Sequence, residues 1–302
     1  MKPLSGVYNI LSTPFLPDGS LDFVSLRRLT ESTIDAGVDG ITVLGVAGEA
    51  QKLNPAERQS VIETVVEIAG SDIPIVVGTS QDGTDLTIQA SQTAVDLGAK
   101  GLMIAPPVFL QPGPGLTEHF RRIAEAVDVP IILQDFPTVN GVTMSPRAMA
   151  ELCQAIPSIT TIKLEDVPTP QRTAQTLALT GDKISVVGGL GGMYLLDELR
   201  RGSSGTMTGF AYPEVLVGIW NAWSSGDRRT AAEIYYQALP LLVFEGQPKL
   251  GVAIRKEILR RRGLIEHATV RHPGPMLDDG AAEDLTETIN WVDVESLTAT
   301  RA

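Results

Sequence analysis

Short apolar runs recur along the chain, each followed by a longer stretch with helical periodicity. The runs are Gly6–Leu11, Gly40–Leu44, Ile73–Val77, Gly101–Ile104, Val129–Gln134, Ile159–Glu165, Ile184–Val187 and Gly205–Thr208. They are rich in β-branched residues and nearly continuous in apolar character, as strands covered on both faces are. The spacing of roughly 20 to 33 residues is what a strand, a helix and two turns require. The intervening segments carry helix boundaries. Asn54-Pro55-Ala56-Glu57 supplies an N-cap, a proline at the first helical position and a glutamate to close a capping box, and Gly70 ends the helix. Ser145-Pro146 opens another helix in the same way. Eight such units predict a (β/α)8 TIM barrel over residues 1–225. A doubly wound open sheet is the alternative, but it usually carries a glycine-rich fingerprint after its first strand, and here Ser12-Thr13-Pro14-Phe15 follows. After residue 225 the strands stop, and helices are predicted at 227–243, 248–262 and 281–291. They form a C-terminal helical extension, 226–302, expected to pack on the barrel or on a neighbouring copy.

Composition narrows the function. With 24 basic and 36 acidic residues the formal net charge is -12, which argues against nucleic acid and anionic membrane surfaces as partners. The first residues form no signal core and no run is long enough to span a bilayer, so a cytoplasmic protein is expected. The single cysteine, Cys153, suits a reducing compartment and reads as a small buried hydrophobe. His119, His267 and His272 are far apart, without cysteine or acid at ligand spacing, so no protein-built metal site is expected.

The apolar run Ile159-Thr160-Thr161-Ile162 ends in Lys163, followed by Leu164 and Glu165. Barrel active sites lie at the C-terminal ends of the strands. Of the seven lysines, Lys100 and Lys183 precede their strands, Lys2 is terminal, Lys52 lies in a loop, and Lys249 and Lys256 lie in late helices. Lys163 alone ends a strand. Burial favours the neutral amine, and a neutral amine attacks carbonyls to form a Schiff base. The plainer alternative is a strand-end lysine reaching solvent or paired with Glu165. Three other strand ends offer ligand contacts. Val46, Ala47 and Gly48 could present backbone amides to a carboxylate. Gln134 could serve a substrate hydroxyl if it faces the barrel mouth, whereas Asp135 reads as a turn residue before proline. Gly188 and Gly189 could cradle an anion or simply form a turn.

A barrel with Ser-Thr-Pro-Phe after its first strand, Gly-x-x-Gly-Glu after its second and Ile-Lys-x-Glu at its sixth resembles the dihydrodipicolinate synthase/N-acetylneuraminate lyase family. The resemblance spans nearly the whole chain. It implies a class I lyase acting on a small 2-oxo acid through a Schiff base on Lys163, with no separate cofactor, assembled as a homo-oligomer, commonly a tetramer. Trp220 and Trp223 are candidate apolar contacts for that assembly, with burial against the C-terminal helices as the equal alternative. The resemblance also places Val46 and Ala47 where backbone amides hold the substrate carboxylate. Four departures stand out. A hydroxyl residue is usual at Val46 or Ala47, relay tyrosines at Gln134 and near Val108, and in the synthases an arginine at about Val139. The segments Gln134-Asp135-Phe136-Pro137, Thr208-Gly209-Phe210, Phe244-Glu245-Gly246-Gln247 and Arg271-His272-Pro273-Gly274-Pro275 are similar to those of the 2-keto-3-deoxy-L-arabonate dehydratases. Dehydration of a 2-keto-3-deoxy sugar acid is therefore the leading expectation. Retro-aldol cleavage, dihydrodipicolinate synthesis and a non-catalytic 2-oxo-acid-binding paralogue are the alternatives. Without the tyrosines, the proton carriers to consider are a water held by Gln134, the hydroxyls of Ser12, Thr13 or Thr161, and Glu165.

Overall fold

A computed structural model describes residues 2–294 and 297. Eight parallel strands close into a barrel in sequence order, with the first pairing the eighth from Gly6↔Gly205 to Asn9↔Thr208. They are β1 (Gly6–Ile10), β2 (Gly40–Val43), β3 (Ile75–Gly78), β4 (Gly101–Ile104), β5 (Ile131–Asp135), β6 (Ile159–Leu164), β7 (Ser185–Gly188) and β8 (Gly205–Thr208). Strands β3 and β5 begin two residues later than the apolar runs suggest. Pro74 and Pro130 cannot donate to a ladder; their carbonyls accept instead, from Ile41 and Leu102.

The helices after β1 to β4 are α1 (Phe23–Asp35), α2 (Pro55–Ala69), α3 (Thr84–Asp96) and α4 (Pro114–Ala126). After β5 come the short α5 (Pro137–Asn140) and α6 (Pro146–Ala155); α7 (Thr169–Thr180), α8 (Leu195–Arg200) and α9 (Pro213–Ser224) follow the last three strands. The extension contributes α10 (Arg228–Glu245), α11 (Gly251–Arg261) and α12 (Asp279–Val292). The capping box of α2 is complete, and the Ser145 hydroxyl accepts from the Ala148 amide at the start of α6. Among the described residues no helix is long and apolar enough to cross a membrane.

Two apolar clusters follow from strand alternation. The outward positions pack beneath the helices in one large core. The inward positions Tyr8, Ile10, Val76, Met103, Ile132, Val187 and Met207 fill the barrel interior. The extension is welded to the barrel. Helix α10 packs along α9 and α12, and Trp220 and Trp223 join the main core, with Arg228 over the Trp223 ring at 3.5 Å. Those tryptophans are thus intramolecular packing residues, not the free apolar surface considered above.

Candidate active site

Alternation along β6 turns Lys163 inward at the strand's last turn, in register with Gln134 on β5 and Val187 on β7. The lysine's side chain is buried. The ammonium is not left alone. Lys163 Nζ lies 2.9 Å from Glu165 Oε2, and Gln134 Nε2 donates to the same oxygen at 2.8 Å. The other oxygen, Oε1, faces the Leu190 backbone amide at 3.4 Å. All three side chains are buried. Glu165 gains this position because its own amide continues the ladder, donating to the Asp135 carbonyl at 2.9 Å beyond the last residue of β6. A carboxylate so placed can accept a proton from the ammonium and pass it on, and Gln134, which cannot titrate near neutrality, fixes its orientation.

The Gly188-Gly189 turn has a different client from the one considered above. A Cβ on Gly189 would lie 2.4 Å from Glu165 Oε1, and one on Gly188 would lie 1.7 Å from Glu198 Oε2. The turn therefore accommodates two of the chain's own acids. The anion it cradles is Glu165, which occupies the place an external anion would need.

Gln134 lines a cavity of about 450 Å³ at the mouth, with Gly45 and Val46 after β2, Met103 at the end of β4, and Phe136 and Val139 after β5. Arg58 of α2 also lines it, its guanidinium held by the Leu53 and Ala50 carbonyls at 3.1 and 2.8 Å. Sequence reading missed Arg58, which lies among polar residues of an amphipathic helix and carries no local sign of facing a cavity. Residues Val46–Gly48 form a single 3-10 turn. The amides of Val46 and Ala47, at its first positions, have no acceptor within the turn. The Gly48 amide is spent on the Gly45 carbonyl at 3.0 Å, so Gly48 is removed from the set of free donors.

The hydroxyl candidates fall away for separate reasons. Thr13 Oγ1 donates to the Gly48 carbonyl at 2.7 Å, tying the β1 loop to the β2 loop. Thr161 shares the parity of Lys163 but lies one layer lower. Its hydroxyl accepts from the Leu4 amide at 3.0 Å and bonds Ser185 Oγ at 2.9 Å, at the floor of the barrel. Ser12 is buried beside Asn9 and Arg255 and lines a separate space of about 10 Å³ towards α1 and α11. Asp135 is no turn residue either. It ends β5 facing outward, fully buried, 3.4 Å from Arg172 of α7. Burial pushes its carboxyl up to about 7, although Arg172 pulls the other way.

The Gly-x-x-Gly-Glu and Ser-Thr-Pro-Phe segments meet in a second buried cluster. Glu49, in the left-handed region at φ 57°, pairs through one oxygen with Lys256 of α11 and through the other with Lys52 at 2.7 Å. That second oxygen also accepts the Arg271 amide at 3.0 Å. Lys256 and Arg271 lie over the Phe15 ring at 4.3 and 4.4 Å, and Arg271 grips Glu57 of α2 with two bonds of 2.7 and 2.8 Å. Lys256 is a second wholly buried lysine that the position argument passes over. Burial lowers it to about 8 against the pull of Glu49, but its three donors go to Glu49, to the Thr269 carbonyl and towards the Phe15 ring. It ties the loop after β2 to α11 and the Thr269 carbonyl.

Comparison with known proteins places the fold and the family. The model of the dihydrodipicolinate synthetase family matches residues 3–291. The chain is 30% identical to the L-2-keto-3-deoxyarabonate dehydratase of Azospirillum brasilense, over 93% of this chain and 92% of the relative. It is 32% identical to the 4-hydroxy-tetrahydrodipicolinate synthase of Methanosphaerula palustris, over 95% and 99% of the two chains. Among solved structures it is similar to the dihydrodipicolinate synthase of Rhodopseudomonas palustris, with a TM-score of 0.90 and 33% identity, covering 96% of this chain and 100% of that one.

Proposed function

From the premise that the chain belongs to the dihydrodipicolinate synthetase family and is an enzyme of the lyase class, we propose that it dehydrates a 2-keto-3-deoxy sugar acid through an imine on Lys163. The family's chemistry runs through a covalent lysine Schiff base and takes no external cofactor. The observation that carries the reading is the shared oxygen: Lys163 and Gln134 both bond Glu165 Oε2, which supplies a titratable group where the relay tyrosine is missing.

Glu165 takes the ammonium proton, and the neutral amine attacks the 2-keto carbon. Glu165 returns that proton to the adduct's hydroxyl, which leaves as water and gives the iminium, an electron sink, with Glu165 again a carboxylate. Removal of a C3 proton by Glu165 gives the enamine, and the enamine expels the C4 hydroxyl as Glu165 returns the proton to it, so water leaves. Hydrolysis then frees the lysine. The Val46 and Ala47 amides hold the substrate carboxylate, and Gln134 holds Glu165 and the departing hydroxyl. The similarity to the arabonate-type dehydratase supports the substrate class. The cavity has room for a chain longer than pyruvate, because it is about 450 Å³.

Two experiments test this. Incubation with pyruvate followed by borohydride should label Lys163 and no other lysine, by peptide mass. A panel of 2-keto-3-deoxy sugar acids should yield products 18 Da lighter; a pyruvate fragment instead would make the enzyme an aldolase. Condensation of pyruvate with aspartate semialdehyde should be absent, because apolar Val139 lines the mouth where the synthases carry an arginine. The proposal extends to a homo-oligomer, in the first instance a tetramer, with exposed Val108 and Phe109 as apolar contacts. Light scattering that gives a monomer at micromolar concentration would overturn that part.

A further inference from the structure

Glu198, on α8, is fully buried and has no role in the steps above. Its Oε1 accepts from Thr169 Oγ1 at 2.5 Å, its Oε2 has no partner, and among the described residues it forms no ion pair. A buried carboxylate without a cation is costly. What it touches gives it a connection to the chemistry. Glu198 presses on Gly188 and Glu165 presses on Gly189, each so closely that a Cβ would collide with the carboxyl oxygen. Successive strand residues face opposite ways, so one dipeptide is held between two acids, one outside the barrel and one at its mouth.

We propose that Glu198 is a positioning residue for the reaction, a neutral acid that wedges the Gly188–Gly189 turn against the Glu165 carboxylate and so aims Glu165 at Lys163. This inference rests on the reading of Lys163 and Glu165 as the reacting pair. Its consequence is an alkaline off-switch. If Glu198 ionises, a second negative charge stands one dipeptide away from Glu165 and disturbs its bonds to Lys163, Gln134 and Leu190. Burial pushes Glu198 up to about 8, and Glu165 and Asp197 add to the rise while the Thr169 hydroxyl opposes it. The groups facing it are Glu165 from beyond β6, Thr169 from α7, Asp197 on its own helix and Tyr235 from α10, itself pushed up chiefly by burial. Strands β7 and β8 contribute no titratable side chain. Asp197 is tied to Arg200 at the surface. Among the described residues no cation pairs with Glu198.

The probe is pyruvate, whose methyl protons exchange with deuterium oxide through the same imine and enamine. Exchange followed by proton NMR reads removal of the C3 proton without knowledge of the full substrate. Each profile, taken from about pH 6 to 9.5, is scaled to its own plateau. The wild-type rate should fall on the alkaline side with a midpoint near 8. Glu198→Gln, which cannot ionise, should lose that limb. Thr169→Val, which removes the donor favouring the charged form, should move the limb to higher pH. A Glu198→Gln profile superimposable on wild type overturns the proposal. If that variant does not fold, an unmoved midpoint in Thr169→Val overturns it equally. Borohydride labelling of the same samples separates the two levels. Wild-type enzyme without label at Lys163 fails the functional reading, whereas a labelled lysine with coincident profiles fails only the role of Glu198.

Discussion

Replacing Glu165 with glutamine isolates the proton carrier from the nucleophile. The substitution keeps the volume and one acceptor oxygen, but everything around the wild-type carboxylate donates: Lys163 at 2.9 Å, Gln134 at 2.8 Å and the Leu190 amide at 3.4 Å. The new amide nitrogen must therefore face a donor, and it cannot accept a proton. Loss of a positioned general base typically costs a factor of about 10² to 10⁴, or roughly 2.7 to 5.5 kcal/mol of transition-state stabilisation. Removing the partner of a buried charge costs roughly 3 to 5 kcal/mol if the charge stays. An amine escapes much of that cost by releasing its proton, and the released form is the one that attacks a ketone. Turnover and imine formation should therefore part company. Dehydration of the best 2-keto-3-deoxy acid should fall by about 2 to 4 orders of magnitude, while overnight borohydride trapping with pyruvate still labels Lys163. Turnover within tenfold of wild type would refute the assignment of Glu165.

Gln134→Leu should leave trapping by pyruvate nearly intact and lower dehydration by about 2 to 3 orders of magnitude, the usual loss for a positioned donor; near-wild-type turnover would assign Gln134 to structure alone. Glu49→Ala removes the buried partner of Lys256 and the acceptor for Lys52 and the Arg271 amide. It should cost roughly 3 to 5 kcal/mol and lower the melting temperature by about 6 to 20 °C, and an unchanged melting curve would rule that out. Asp135 is raised from 3.8 to about 7, so between those values the native state holds a proton that the unfolded chain has lost. Its contribution to stability is complete at low pH and is lost as pH rises towards 7, by roughly 4 kcal/mol. Urea unfolding at pH 5 and pH 8 should differ less in Asp135→Asn than in wild type, and equal differences would count against it.

The barrel was legible because apolar runs, caps and their spacing are local properties. Lys163 was legible because an amine at the end of a buried strand is costly and only one strand offers it. Alternation tells which side of the wall a residue faces but not how high it stands, and Thr161 was misjudged on that point: its parity is that of Lys163, while its hydroxyl belongs to the floor. Glu49 closes the Gly-x-x-Gly-Glu segment that carries the family resemblance. Its actual partner on α11 is 207 residues away, a contact no local pattern encodes. Asp135 before its proline carries the signature of a turn, yet Arg172 brings it into the core behind β5. Gly188 and Gly189 advertised closeness to something, and glycine cannot say to what.

The Glu49 cluster has a consequence for how such a chain can be divided. One side chain ties together the loop that presents the Val46 and Ala47 amides, a helix from the extension and the segment carrying Arg271. Cutting after the eighth unit, where the strands end, would take Lys256 and the Arg271 amide from the buried acid and leave it Lys52 alone. Grafting the extension of a distant relative would succeed only if it returned a lysine and an arginine backbone to the same points. The last helices thus act as the far abutment of an arch whose keystone lies beside the barrel mouth, and a change in sequence near residue 256 or 271 can be felt in the loop that presents the Val46 and Ala47 amides.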